Sequence, residues 1–242
     1  MRLFKGASMS PQKNAPQCVQ NAAENLYQKV EFLFYEIVAA NTYACAHEID
    51  DEIVDALNSG GVSRIAAAVQ RATRDSCMLT LCRAMDRGSK WSLHKVFSYD
   101  RSVVSLCVKG ESNERLYDRA LNEWARRDSW PTSHGIRSMI ADISIHLNGG
   151  CILDTPQFEG TLPDLMKRLR DSILAHNDRD EFTVKPSNVY PGDVRTVLNR
   201  LTKIVSDLAE ATGLDTAPLK EVCTNGDEQS RAFWERFVRP EG

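Results

Sequence analysis

The sequence predicts an all-α helical bundle, and three observations predict it. Apolar residues recur at spacings of three and four through most of the 242 residues, the repeat of helices with one buried face. Strand-like alternation is scarce: a short stretch at 182–185 shows it, and a connector accounts for that stretch equally well. The 13 glycines and 9 prolines fall mostly between the periodic stretches, where they punctuate helices.

Taken in order, residues 16–47 form a long amphipathic helix on Leu26, Val30, Leu33, Phe34, Ile37 and Val38. Ser59-Gly60-Gly61 breaks the chain. A second long helix runs over 62–85, with Ile65, Ala68, Val69, Met78, Leu79 and Cys82 on its apolar side. Arg87-Gly88-Ser89-Lys90 ends it, and Ser92 reads as the N-cap of a short helix over 93–97. Further helices are expected near 100–108, 112–126, 133–147 and 161–177, separated by Gly110, Trp130-Pro131, Gly149-Gly150 and Pro156. Pro191-Gly192-Asp193 opens a last long helix to about Ala211, carried by Val197, Leu198, Leu201, Ile204, Val205 and Leu208. A weaker helical segment, 228–238, holds Phe233, Trp234 and Phe237. The expected organisation is a tail at 1–15, a helical domain over 16–212 with a central helical insertion at about 98–156, and a C-terminal segment over 213–242 with a short helix.

Composition narrows the function classes. No apolar run approaches the roughly 20 residues of a membrane-spanning helix, and the N-terminus lacks the apolar core of a signal peptide, so a cytoplasmic location without membrane partners is expected. The seven cysteines are odd in number and scattered, and are expected to be buried, reduced thiols. A net charge of −3 gives no overall attraction for nucleic acid, so any such contact must use a local patch. The basic clusters are Arg64/Arg71/Arg74, Arg119/Arg126/Arg127 and Lys167/Arg168/Arg170. Gly-rich phosphate loops, Gly-x-Ser-x-Gly elbows and His-Glu-x-x-His pairs are absent, so no cofactor and no metal is expected. His47-Glu48 with Asp50, Asp51 and Glu52 reads as a solvated helix break rather than a cation site.

The most informative stretch is Arg170-Asp171-Ser172-Ile173-Leu174-Ala175-His176-Asn177. With Leu162 at zero on a helical wheel, Leu165, Met166, Leu169 and Ile173 lie within about 60°, a core stripe. His176 falls inside that stripe at about 40°, Asn177 and Arg170 flank it at roughly 60° and 80°, and Asp171 points away. Arg170 and His176 are about 9 Å apart along the axis, and helical side chains lean toward the N-terminus, so the arginine leans away from its own histidine. Two arrangements bring them together. The helix ends or bends near His176, or Arg170 of one subunit meets His176 of another across a two-fold axis, which is the favoured arrangement. Imidazole moves a proton near neutral pH and guanidinium grips phosphate in two places, which together suit RNA cleavage without metal. Two similar spacings, Arg127…His134 and Arg87…His94, are interrupted by Trp130-Pro131 and by Gly88 with the Ser92 cap.

The 170–176 string resembles the signature of the HEPN superfamily: arginine, a polar residue, a few residues, then histidine, late in a helical bundle. The longer run through Asp180, with Arg83-Ala84-Met85-Asp86-Arg87 and Trp91-Ser92-Leu93 before it, is most similar to the abortive-infection (AbiU-like) branch. The resemblance covers about 20–210 in layout, and 168–180 is its specific part. It implies an α-helical homodimer acting as a metal-independent endoribonuclease, a toxin or antiviral effector with a possible antitoxin partner. It implies His176 as the proton carrier, Arg170 as the stabiliser of phosphoryl charge, and Asp171 as the group that orients them. Asn177, Lys167 and Arg168 then face the RNA. Some HEPN toxins carry a tyrosine two residues after the histidine, where a nucleotidyltransferase adds nucleotides; Asp178 stands there, which argues against silencing by that route. The insertion over 98–156 also exceeds a minimal bundle of this kind. The alternatives are a non-catalytic HEPN-like module that binds RNA, nucleotide or protein, and an adaptor bundle that docks through its Phe233-Trp234-Phe237 segment.

Overall fold

Helix α1, Gln17–His47, is the element around which the others gather. The computed structural model describes residues 15–47, 51–127, 130 and 191–238. The other helices in that set are α2 (Asp51–Ser59), α3 (Ser63–Met85), α4 (Leu93–Val96), α5 (Arg101–Cys107), α6 (Glu111–Ala125), α7 (Pro191–Ala211) and α8 (Ala217–Val238), with no strand among the described residues. The fold is all-α.

Helix α1 packs against α3, α4, α5, α7 and α8, and its buried positions form one broad stripe, an arc of about 120°. Ala23, Leu26, Val30, Leu33, Phe34, Ile37 and Ala40 are all essentially inaccessible to solvent. Each buried Leu, Ile or Phe side chain contributes about 1.5–3 kcal/mol relative to exposure, so this one helix supplies much of the driving force for assembly. On α7, Val197, Leu198, Leu201, Ile204, Val205 and Leu208 are buried as their spacing requires. Helices α6 and α7 run antiparallel: Arg119 meets Asp207, while Glu123, one turn on, meets Arg200, earlier in α7.

The second long helix differs from its expected pattern. On α3 the buried residues are Ala66 and then Cys77, Met78, Thr80, Leu81, Cys82, Ala84 and Met85, whereas Ile65 is 59% exposed and Ala68 lies on the surface. The first half of α3 covers only a small satellite core, in which Ile53, Leu57, Ala66 and Trp234 pack with Val62, Val69 and Val238. A helix that is buried along half its length needs an apolar stripe along that half alone. Ser92 does precede α4 in extended conformation, but its hydroxyl donates back to the Ser89 carbonyl at 3.0 Å instead of capping α4.

The C-terminal helix is longer than the 228–238 stretch expected of it. Helix α7 ends in a Schellman turn: Gly213 at φ +77° donates to the Glu210 carbonyl, and Leu214 donates to the Ala209 carbonyl. Asp215 Oδ1 then accepts from the Ala217 amide, and α8 starts there, with Pro218 in the first turn, where a missing N–H costs nothing. The helix runs unbroken through Thr224-Asn225-Gly226-Asp227, ahead of the 228 start expected from sequence. Gly226 is buried because α8 crosses α1 closely there: a Cβ on Gly226 would lie 2.6 Å from Cys45 Sγ. Glycine here serves close approach between helices, not a break. Trp234, fully buried, donates its indole N–H to the Ala46 carbonyl at 3.0 Å and closes the same interface.

Candidate functional site

The residues singled out from sequence as the catalytic set, Arg170, Asp171 and His176, lie outside the described residues, and so do Lys167, Arg168 and Asn177. The same holds for the helices expected at 133–147 and 161–177, for the stretch 182–185 and for His134.

The other Arg…His spacing, Arg87…His94, does fall within them. His94 sits on α4 with its ring edge against Trp124, 4.9 Å between centroids at 80°. Trp124 is the middle of an aromatic group: Phe97 stacks on it at 6.2 Å, Trp130 meets it edge-on at 6.4 Å, and the Arg127 guanidinium lies 4.7 Å from its centroid. Arg127 also donates to the Trp124 carbonyl, and Arg200 lies over Trp130 while pairing with Glu123. Burial pushes the neighbouring Tyr117 hydroxyl up to about 12, so it is protonated near neutral pH. The geometry is that of a packed, cation-capped aromatic core under α4, α6 and α7.

The Arg119/Arg126/Arg127 cluster therefore divides, with Arg119 and Arg127 tied into the fold by Asp207 and Trp124. In the Arg64/Arg71/Arg74 cluster, Arg74 pairs with its neighbour Asp75 at 2.9 Å, and Arg64 and Arg71 are exposed. Of the acidic break, Glu52 faces Arg231 at 3.8 Å, and no group of three or more potential metal ligands occurs among the described residues. Among those residues, no helix is long and apolar enough to cross a membrane.

The cysteines depart in part from the expectation of burial. Cys77, Cys82 and Cys107 are buried, but Cys18 and Cys223 belong to exposed residues, and Cys151 lies outside the described set. Burial pushes the Cys77 thiol up to about 12 and the Cys107 thiol to about 11. Cys107 donates to the Ala23 carbonyl at 3.1 Å. Since the thiolate is the reactive form, neither is suited to nucleophilic work.

A second aromatic group lies where α1 passes the turn between α3 and α4. Phe32 and Trp91, each half-buried, stack at 4.7 Å and 27°. The ammonium of Lys29 lies 5.2 Å from the Trp91 centroid and that of Lys90 lies 4.9 Å from it. Tyr35, one turn beyond Phe32, is 49% exposed. Arg83, at the end of α3, pairs with Glu36 on α1 at 2.7 Å beside them. The sequence points to this region through Arg83 and Trp91 in the family resemblance; the further signal is the Lys29/Phe32 pair, three apart beyond one edge of the α1 core stripe, together with the Lys90-Trp91 dipeptide.

No family model, no curated protein and no solved structure matches this chain, so the comparisons add nothing to the all-α architecture that the coordinates display.

Proposed function

We propose that this chain is a metal-independent endoribonuclease of the HEPN type, a cytoplasmic homodimer acting as a toxin or antiviral effector. The observation that carries the proposal is the run Arg170-Asp171-Ser172-Ile173-Leu174-Ala175-His176-Asn177-Asp178-Arg179-Asp180, set in a chain whose described elements are all helices. The run supplies the two groups that RNA transesterification needs, a proton carrier near neutral pH and a fork of donors for a phosphate.

In this mechanism the RNA 2′-oxygen attacks the adjacent phosphorus and the bond to the 5′-oxygen breaks. His176 takes the 2′-hydroxyl proton, and the partner subunit's His176 gives one to the departing 5′-oxygen, so two subunits supply a base and an acid. Proton transfer of this kind contributes about 10²–10⁴-fold in rate. Arg170 stabilises the charge that grows on the phosphoryl oxygens, and Asp171 orients the guanidinium or the imidazole. Asn177, Lys167 and Arg168 hold the flanking RNA. The products are a 2′,3′-cyclic phosphate and a 5′-hydroxyl.

The test uses the full chain with single-stranded RNA in EDTA, with end-group analysis of the fragments. Cleavage with cyclic-phosphate ends, lost in His176→Ala and in Arg170→Ala, is the expected result. Equal cleavage by wild type and His176→Ala removes the histidine from the mechanism. RNA binding that survives His176→Ala but falls in Arg170→Ala, with no cleavage by any form, identifies a non-catalytic binding module instead.

A further inference from the structure

We infer that the Phe32–Trp91 stack, with Tyr35, Lys29 and Lys90, is a binding platform for single-stranded RNA, separate from the Lys167–Asn177 segment. Two ammonium groups stand about one indole ring, each near 5 Å from its centroid, a distance at which the ring quadrupole attracts a cation. Neither ammonium has a carboxylate partner among the described residues, as is also true of Lys95, Lys203 and Lys220, so it is the shared ring that sets these two apart. Two like charges held at one ring repel each other, and a polyanion lying between them relieves that repulsion.

The chemistry of the occupant follows from what surrounds the lysines. Phe32 and Trp91 are half-buried, and Tyr35 presents nearly half its surface to solvent one turn along α1, about 60° around the helix. Rings interleaved with cations are the combination that holds a nucleic-acid strand whose bases are free to stack. An acidic peptide satisfies the lysines and leaves the rings unused. Duplex nucleic acid presents phosphates, but its bases are already stacked. The strand's bases therefore lie on Tyr35 and on the outer part of the Phe32–Trp91 stack, while Lys29 and Lys90 take its phosphates. The net charge of −3 is consistent with a local contact of this kind, since the chain as a whole does not attract polyanions. The choice of RNA over DNA rests on the ribonuclease reading; the choice of a single strand does not.

The experiment measures fluorescence anisotropy of a labelled 20-nucleotide single-stranded RNA with the His176→Ala protein, in EDTA, across a salt series. Trp91→Ala should weaken binding by about tenfold or more, as expected for loss of one base-stacking ring, while Trp91→Phe retains most of it. Lys29→Gln with Lys90→Gln should weaken binding and lower the slope of log affinity against log salt by roughly 1.4. Tyr35→Ala, at an exposed position that leaves the core intact, should weaken binding several-fold and guards against a folding defect in Trp91→Ala. Wild-type affinity in Tyr35→Ala and in the double lysine variant overturns the platform. Equal affinity for a DNA strand of the same sequence overturns the choice of RNA alone. Cleavage assays on His176→Ala decide the ribonuclease reading independently, because no platform residue belongs to the proposed catalytic set.

Discussion

Arg119 on α6 and Asp207 on α7 face each other as a two-pronged ion pair, Nε to Oδ2 at 2.6 Å and Nη2 to Oδ1 at 2.5 Å. The carboxylate is nine-tenths buried and the guanidinium more than half exposed. The pair therefore holds a charge inside the seam while its partner stays in contact with water. Removing the arginine strands a buried carboxylate, the costly way to break such a pair. Arg119→Ala should destabilise the protein by about 1–3 kcal/mol, water around the exposed partner keeping the loss below that of a fully enclosed pair. Replacing both residues with Met and Leu should recover most of it. Urea denaturation of the single and double variants measures both; equal losses in the two would place the cost in packing rather than in the stranded charge.

Gly226 and Cys45 should be energetically coupled. Alanine in a helix interior normally stabilises by about 0.5–1 kcal/mol over glycine. At residue 226 the added Cβ meets Cys45 Sγ at 2.6 Å, so in the wild-type background that gain should be absent or reversed. With Cys45→Ala present, Gly226→Ala should regain its stabilising sign. A double-mutant cycle in urea reads the coupling, and additive effects would show that the thiol simply turns aside.

Stability should fall at alkaline pH. Burial holds the Cys77 thiol at about 12 and the Cys107 thiol at about 11, against an ordinary value of 9.0, so the unfolded chain loses those protons first. The unfolded state then binds fewer protons than the folded one, and stability falls as pH rises above about 9 until the folded groups also titrate. Each such group contributes up to about 1.4 kcal/mol per pH unit within that window. Unfolding midpoints between pH 8 and 10.5 should slope downward, and Cys77→Ala should make the slope shallower whatever it does to the absolute stability.

Trp234 should prove to be a core residue of the chain and not a docking anchor. Its ring is fully buried in the satellite core, and its N–H reaches the Ala46 carbonyl. Trp234→Ala should cost about 3–5 kcal/mol as a cavity variant. Trp234→Phe should cost less, roughly the loss of one buried hydrogen bond with a smaller void. Thermal unfolding checks this; a variant that keeps its melting temperature would return the segment to a docking role.

A composite site should require both subunits. Wild-type and His176→Ala proteins unfolded together in equal amounts and refolded should keep about a quarter of the cleavage of the same total amount of wild type, because a dimer needs both histidines as base and acid. About half of that cleavage, with mixed dimers demonstrated by mass, would mean that each subunit carries a complete site of its own.

Periodicity in the sequence carried the fold wherever one stripe of a helix is buried from end to end. Leu26 to Ile37 on α1 and Val197 to Leu208 on α7 are of that kind, and their burial follows the expected pattern. It failed where burial changes along a helix, as with exposed Ile65, because a local pattern does not say where the neighbouring helix stops. It also placed the start of the last helix at 228, whereas α8 begins at Ala217; Pro218 is accommodated locally by its place in the first turn, but Gly226 by close packing on Cys45, a cause that lies in the tertiary arrangement. The Trp91 group escaped for the same reason, since Lys29 and Lys90 are 61 residues apart and only the passage of α1 beside the α3–α4 turn brings them to one ring. Of the proposed site, the Arg170…His176 motif is readable from sequence only as chemistry, from residue type and spacing, and it lies outside the described residues.

Helix α1 takes its partners from both ends of the chain: α3, α4 and α5 soon after it, and α7 and α8 some 150 residues later. On a translating ribosome the early partners reach α1 well before the late ones. Until residues 191–238 emerge, Asn41 lacks its Thr202 acceptor and the Ala46 carbonyl its tryptophan donor, and the apolar surface that α7 and α8 cover stays open. A nascent chain cut short before that point exposes a sticky flank to chaperones and proteases. For a chain proposed to degrade RNA, this order of synthesis delays completion of the folded body until residues 191–238 have been made.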